Sequence, residues 1–337
     1  MTAFLLADVL IAYTIDILIG DPYWMPHPVR FIGWLISKTE KGLRSLAEKD
    51  LEVPGADKAQ VERRAGAILA FFVITVTFLL VGAIVWAAYL VSPILFHIAN
   101  IYFIYSALAT KCLGDEAGKV YDVLVKKDIT AARERLAMLV GRQTDGLDEK
   151  EIIRGVVETT AENTTDGIIS PLFYALIGSL FGMGAPLVYA FKAISTLDSM
   201  VGYMNEKYMN FGRVSAKIDD AANYLPARFT GLIIPVAAFF CGKNMKRSFY
   251  IMRRDRRNHK SPNCAYAEAA VAGALGIKIG GTNVYFGQVV EKPTIGDPDK
   301  ELEPADIKDT VRLMYVASLL SLVVLGAAAA GVAGGLR

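Results

Sequence analysis

Apolar residues gather in a few long runs, and charged residues fill the stretches between them. The run at 66–91 carries no charged side chain and predicts a transmembrane helix. Ser92-Pro93 breaks it. Residues 94–113 then continue as the second arm of a helical hairpin, with His97, Asn100 and several tyrosines that suit an interface or a bundle interior. The run at 4–19 is barely long enough to span and contains Asp8 and Asp16. Carboxylates are costly in lipid, so this helix is expected to face protein or a polar cavity. It lacks the basic start and small-residue exit of a cleaved signal peptide.

Two further runs are interrupted. Residues 168–194 contain Gly178, Gly182, Gly184 and Pro186, which predicts two half-helices around Gly182-Met-Gly-Ala-Pro186. Residues 224–241 are short and carry Pro226, Arg228 and Pro235. The last run, 311–336, ends in a Gly/Ala-rich tail that permits close helix packing. The loops at 30–64 and 243–260 are rich in Lys and Arg, which places both on the cytoplasmic face. Re-entry of the two broken runs keeps the polar loops on that face, provided protein or a wet cavity covers the broken backbone. The expected fold is a mainly α, polytopic helical integral membrane protein with broken or re-entrant helices. It is read as one membrane-embedded domain, 1–337, with 114–167 and 242–310 as large polar cytoplasmic segments.

Composition agrees. Of 337 residues, 53% are hydrophobic and 21% charged, with a net charge of +2 and a mean hydropathy of +0.37, which is too apolar for an ordinary soluble protein. Cys112, Cys241 and Cys264 have no metal-ligand spacing and lie in or beside apolar runs, so they read as buried free thiols. The basic cluster Arg253, Arg254, Arg256 and Arg257 reads as a topology signal and anionic-lipid contact. No nucleic-acid-binding pattern accompanies it, and the chain has neither a P-loop nor a dinucleotide-binding fingerprint.

Four polar blocks carry candidate chemistry. The first, Gly20-Asp21-Pro through Pro26-His27-Pro28-Val-Arg30, is a proline-rigid loop holding Asp21, His27 and Arg30 near the membrane interface, with Tyr23 and Trp24 as interfacial anchors. The second places Glu158, Glu162 and Asp166 at i, i+4 and i+8 with Asn163 among them, on a helix beginning near Asp148 and ending at 163–167. Its plain alternative is a solvated helix with Arg154 paired to Glu158. The third spans Lys192, Asp198, Arg213, Asp219, Asp220, Asn223 and Arg228. Asp219 and Asp220 point roughly 100° apart on a helix, whereas Asp220 and Asn223 share a face. The fourth runs from Arg253 through His259 and Asn263 to Glu268 and the glycine-rich turn at 275–287. Asn263 is a candidate helix cap, and Glu268 sits where the helix dipole favours a carboxylate. Carboxylates interspersed with Asn and Thr suit Mg²⁺, which takes one or two carboxylates plus phosphate oxygens. Three scattered histidines and no paired cysteines disfavour zinc.

In this order the blocks resemble the adenosylcobinamide-phosphate synthase family of cobalamin biosynthesis, the CbiB/CobD family. The resemblance rests on Gly20-Asp-Pro with His27-Pro-Val-Arg30, Glu158 to Gly167, Thr196-Leu-Asp-Ser-Met-Val-Gly202, Asp219-Asp220 to Arg228, and Asp255 to Asn263 with Glu268-Ala-Ala. It departs from the family pattern at Gln143, Ser195 and Cys264-Ala265. It implies an ATP- and Mg²⁺-dependent ligase that joins a carboxylate of adenosylcobyric acid to aminopropanol or its O-phosphate through an activated carboxylate. The roles it implies are Glu158, Glu162, Asp166, Asp219 and Asp220 toward Mg²⁺. Lys192, Arg213 and Arg228 would bind anionic oxygens, and Asn163, Asn223 and Asn263 would meet the corrin rim. Asp198 would bind the ammonium, and His259 or one carboxylate would be the base. Membrane lipid is the other expected partner, an oligomer is compatible, and nucleic acid is not expected. The rival readings are a corrinoid-binding transporter, which broken helices suit, and a non-catalytic regulatory relative. Against the transporter, inverted repeats are lacking and most polar residues lie in loops.

Overall fold

The computed structural model describes residues 2–22, 24, 27–52, 55–285 and 287–335. Tyr23, read as an anchor, Pro26 of the rigid loop and Leu336 of the last apolar run lie outside these residues. In chain order the helices are α1 (Thr2–Ile19), α2 (Pro28–Leu51), α3 (Lys58–Val91), α4 (Pro93–Tyr105), α5 (Thr110–Val125), α6 (Ile129–Ala137) and α7 (Glu149–Asn163). A π-helical turn, Thr164–Ile169, leads into α8 (Ser170–Leu180), α9 (Gly184–Val201), α10 (Arg213–Ala222), α11 (Tyr224–Phe240), α12 (Met245–Asp255) and α13 (Cys264–Leu275). A hairpin of β1 (Lys278–Tyr285) and β2 (Gln288–Gly296) precedes α14 (Ala305–Gly335).

The fold is a mainly α, polytopic membrane protein. Among the described residues three helical stretches are long and apolar enough to cross a membrane: Lys58–Val91, Pro93–Val125 and Ala305–Gly335. The middle one is interrupted at 106–109, where the sequence predicted a continuous arm to 113. The break at Ser92-Pro93 is as predicted. Ser92 caps α4 through its hydroxyl, which accepts from the Ile94 amide at 3.2 Å, and Pro93 starts the helix where its missing N–H costs nothing. The run at 168–194 does form two helices, α8 and α9. Their turn closes with the Met183 amide on the Gly178 carbonyl at 2.7 Å.

The chain forms two compact units: residues 1–108, 171–222 and 326–337 in the first, and 109–170 and 223–325 in the second. In the first unit α3 packs on α2, α4, α9 and α10, and α1 packs on α4. Asp8 and Asp16 of α1 are buried, as their cost in lipid required. Asp8 accepts from His97 Nδ1 at 2.9 Å and from the Asn100 amide at 2.7 Å. Gly66 lies so close to the Phe211 backbone that a Cβ would collide with that carbonyl.

The second unit contains both predicted polar segments. Its core is built from short aliphatic residues: Val120 and Leu124 of α5, Leu136 of α6, Ile152 and Val156 of α7, and the alanines of α13. Small side chains let α13 sit close against α11 and α12, and the Ser248 hydroxyl bridges α12 to the Ala270 carbonyl at 2.7 Å. Cys112, Cys241 and Cys264 are all free thiols, with Cys241 buried and the other two half-buried.

Gly66→Ala is expected to destabilise the protein by about 1–3 kcal/mol, because the methyl group must displace backbone. Gly118→Ala in α5, where the added methyl meets open space, is expected to be neutral or stabilising by up to about 1 kcal/mol. Thermal unfolding of the two variants in detergent checks the contrast.

Candidate functional site

The site grows from α7. Asp148 caps this helix through the Glu151 amide at 2.8 Å, and the Glu151 carboxylate returns to the Asp148 amide at 2.9 Å. The predicted start is therefore met, but the predicted end is not. At 163–167 the helix widens into the π turn rather than stopping. Asn163 donates back to the Thr159 carbonyl at 2.9 Å and Thr164 to the Thr160 carbonyl at 2.7 Å. The Gly167 carbonyl takes the Ala109 amide at 3.1 Å. Because the winding changes here, Asp166 no longer keeps the i+4 register that an α-helix would give it after Glu162. Single π turns within α-helices often mark functional sites.

Glu158 is only 5% exposed, which removes the solvated-helix reading. Its Oε2 accepts from Arg142 Nη1 at 2.9 Å, and its Oε1 accepts from the Gly280 amide at 2.8 Å. Arg154 Nε also lies 3.8 Å from Oε1, while its outer nitrogens donate to the Gly280 and Thr282 carbonyls. The strand register explains why Gly280 is available. Ile279 pairs with Ile295 and Gly281 with Lys292, so a bulge containing Pro293 leaves Gly280 out of the ladder. Proline has no ladder donor to lose there, and bulges re-aim backbone groups. Arg142 also donates to Asn283 Oδ1, and the Gln143 amide pairs with the Val284 carbonyl at 2.9 Å. Gly155 makes room for this guanidinium, since a Cβ there would strike Arg142 Nη2.

Around this bracket lie the buried Glu268 and the half-buried Glu162, His259 and Cys264. The Cys264 thiol donates to Glu162 Oε1 at 3.1 Å. Burial pushes that thiol well up, with Glu162, Asp166 and Glu268 adding to the effect. Burial, then the nearby charges of Glu162 and Glu158, push the Glu268 carboxyl up to about 8, with Lys292 and Arg142 opposing. His259 is shifted down by burial and by Lys292, against the pull of Glu162. Its Nδ1 accepts the Ser261 amide at 3.0 Å, so in the neutral ring Nε2 carries the hydrogen.

The other predicted residues fall as follows. Asn263 stands at the start of α13, but its side chain makes no capping bond there and instead accepts from Arg228 Nη1 at 3.1 Å. Arg228 is sandwiched over the rings of Tyr224 and Tyr266, at 3.2 and 4.8 Å, and its Nη1 also donates to the Tyr224 carbonyl. Asn223 is buried and its Oδ1 accepts the Ser170 hydroxyl at 2.6 Å. The first unit holds Asp21, His27, Arg30, Lys192, Asp198, Arg213, Asp219 and Asp220. There His27 caps α2 by accepting the Val29 amide at 3.3 Å, with Nε2 3.6 Å from Asp21, while Arg30 and Arg213 are exposed. Lys192 and Asp198 lie half-buried on α9, and Asp219 and Asp220 half-buried on α10.

Sequence reasoning missed Arg142, Asn283 and Lys292. Arg142 Nε and Nη2 and Asn283 Nδ2 are buried donors without a protein acceptor among the described residues. Among the described residues no group of three or more His, Cys, Asp or Glu side chains is arranged to hold a metal ion by itself.

The chain matches the family described as CobD/Cbib protein over residues 9–314. It is 47% identical to "Cobalamin biosynthesis protein CobD" of Clostridium acetobutylicum, across 94% of this chain and 96% of that one. A Geobacter metallireducens protein of the same name is also 47% identical, across 95% of both chains. "Cobalamin biosynthesis protein CbiB" of Salmonella typhimurium is 45% identical, across 96% of this chain and 97% of its own. No solved structure matches the chain.

The raised Glu268 gives a pH prediction. A carboxyl that binds its proton more tightly folded than unfolded makes stability fall as pH rises from the unfolded value, near 4.5, through about 8. Glu268→Gln removes that slope and is expected to be more stable than the native protein at pH 8, and less distinguishable from it at pH 5. Thermal midpoints measured across this range check the sign.

Proposed function

The chain belongs to the CobD/Cbib protein family, and on that premise we propose that it acts in cobalamin biosynthesis as an ATP- and Mg²⁺-dependent carboxylate–amine ligase. The substrates proposed are adenosylcobyric acid and aminopropanol or its O-phosphate, and the product is the amide, adenosylcobinamide or its phosphate. The cell membrane is the proposed location, crossed several times, with the site facing the cytoplasm. One observation carries the reading: carboxylates and cations converge in the second unit, where the buried Glu268 is crowded by Glu162 and Glu158 and faced by Lys292 and Arg142.

A carboxylate and an ammonium do not condense usefully at neutral pH without activation. The ligase needs cations for the negative oxygens, and it needs a base for the amine. Arg142 and Lys292 serve the anionic oxygens, and the spare donors of Arg142 and Asn283 can be met by a substrate oxygen. His259 is poorly placed as a base because Nδ1 is already taken and the neutral Nε2 is a donor. Glu268 suits the task better. A base held near 8 accepts a proton from an ammonium more readily than an ordinary carboxylate would. Asn163, Asn223 and Asn263 are each engaged by the protein, through Thr159, Ser170 and Arg228 respectively.

The residues fit a hard cation in a limited way. Glu158 has both oxygens engaged, which leaves Glu162 and Asp166 to hold Mg²⁺ with phosphate oxygens completing the shell, as is usual for this ion. The negative charge of Glu162 and Glu158 crowding Glu268 is what a cation would relieve. Bound there, Mg²⁺ would supply charge neutralisation for the phosphates.

The test is the purified protein in detergent with adenosylcobyric acid, MgATP and aminopropanol phosphate, read by mass spectrometry for the new amide and by ADP release. Turnover with both products supports the ligase, and binding without turnover contradicts it. Glu268→Gln is expected to lower kcat by at least about a hundredfold, in the range of a lost general base. The native rate is expected to rise with pH up to about 8, as Glu268 ionises. Glu162→Gln is expected to raise the Mg²⁺ requirement.

A further inference from the structure

Within the first unit, a cavity of about 740 Å³ opens beside the turn that joins α3 to α4. Its wall is almost wholly apolar and includes Phe78, Trp86, Tyr89, Phe96 and Pro186, with His97 as its polar member. Both α3 and α4 belong to stretches apolar enough to cross a membrane. Trp86 and Tyr89 are 64% and 53% exposed at the end of α3 away from Arg63 and Arg64. Amphipathic rings of this kind collect where a bilayer meets water, so this end of α3 suits an interface.

His97 is held by a buried network. The Asp8 carboxylate lies 2.9 Å from His97 Nδ1 and 2.7 Å from Asn100 Nδ2, and Asn100 Oδ1 accepts the Ala185 amide at 3.0 Å. An ionised carboxylate only accepts, so Nδ1 carries the hydrogen and the neutral ring offers Nε2 as an acceptor. A fixed acceptor on the wall of an apolar cavity asks for a ligand that is mostly hydrocarbon and brings one N–H or O–H.

We propose that this cavity is a binding site for a phospholipid whose acyl chain fills the apolar space and whose headgroup donates a hydrogen bond to His97. An ethanolamine ammonium meets that demand, and a choline headgroup, having no N–H or O–H, does not. This site is independent of the ligase reading, because its test measures bound lipid rather than turnover.

The test is competition in mixed micelles containing equal phosphatidylethanolamine and phosphatidylcholine of the same chains, with bound lipid counted by native mass spectrometry. The native protein is expected to retain ethanolamine lipid over choline lipid by about tenfold, the discrimination that one charge-assisted hydrogen bond gives. His97→Phe should level the two, and a thermal midpoint close to that of the native protein guards against a simple folding defect. Gly82→Leu projects into the cavity, where a Cβ meets only Pro186 at 3.8 Å, and should retain neither lipid. Equal retention of the two lipids by the native protein, or unchanged retention by Gly82→Leu, overturns the proposal.

Discussion

The second unit is organised by one buried ion pair. Arg142 and Glu158 have lost nearly all contact with water, with side chains 4% and 7% exposed. Two charges stay ionised in such a place only if each is answered by hydrogen bonds as well as by the other. Glu158 finds its answer in Arg142 and in an amide that the β-bulge frees, and Arg142 finds a further one in Asn283. The hairpin, the loop after α6 and the middle of α7 are thereby fixed to one another. Glu162 lies one turn farther along α7, and Glu268 of α13 is crowded by both Glu162 and Glu158.

Much of the helical frame is readable from the chain. Asp148 with Glu151 marks the start of α7, Ser92-Pro93 separates α3 from α4, and the glycines and proline around Met183 split α8 from α9. These are local rules: a cap, a missing N–H, a turn residue. The cost of carboxylates in lipid likewise foretold that Asp8 and Asp16 would be buried. The hairpin was not legible. Residues 275–287 look like a glycine-rich turn because Gly280 and Gly281 mask the strand pattern, and they are glycines because the strand bulges there. The π turn was hidden for a similar reason, since counting by i+4 assumes the winding that the turn changes.

The candidate site was legible in part. Glu158, Glu162, His259 and Glu268 do share one electrostatic neighbourhood. Yet Glu158 is a bracket, Arg228 is clamped between tyrosines, and Asn263 answers Arg228 rather than its own helix. Each difference depends on a partner distant in sequence, which local spacing cannot supply. Arg142 escaped notice because nothing near it in the chain reveals its partner, sixteen residues on, or Asn283, which is farther still. Family membership narrows the chemistry, while the burial of these groups is what makes their charge states useful.

The most direct test of the bracket is a double-mutant cycle on Arg142 and Glu158, read as hydrogen exchange at the hairpin amides of 278–296. Arg142→Met or Glu158→Leu alone strands a buried charge and should lower protection by the equivalent of about 3–5 kcal/mol. The double variant strands neither and should lose far less than the sum of the two. Additive losses, or hairpin protection that does not change in the single variants, would contradict the account.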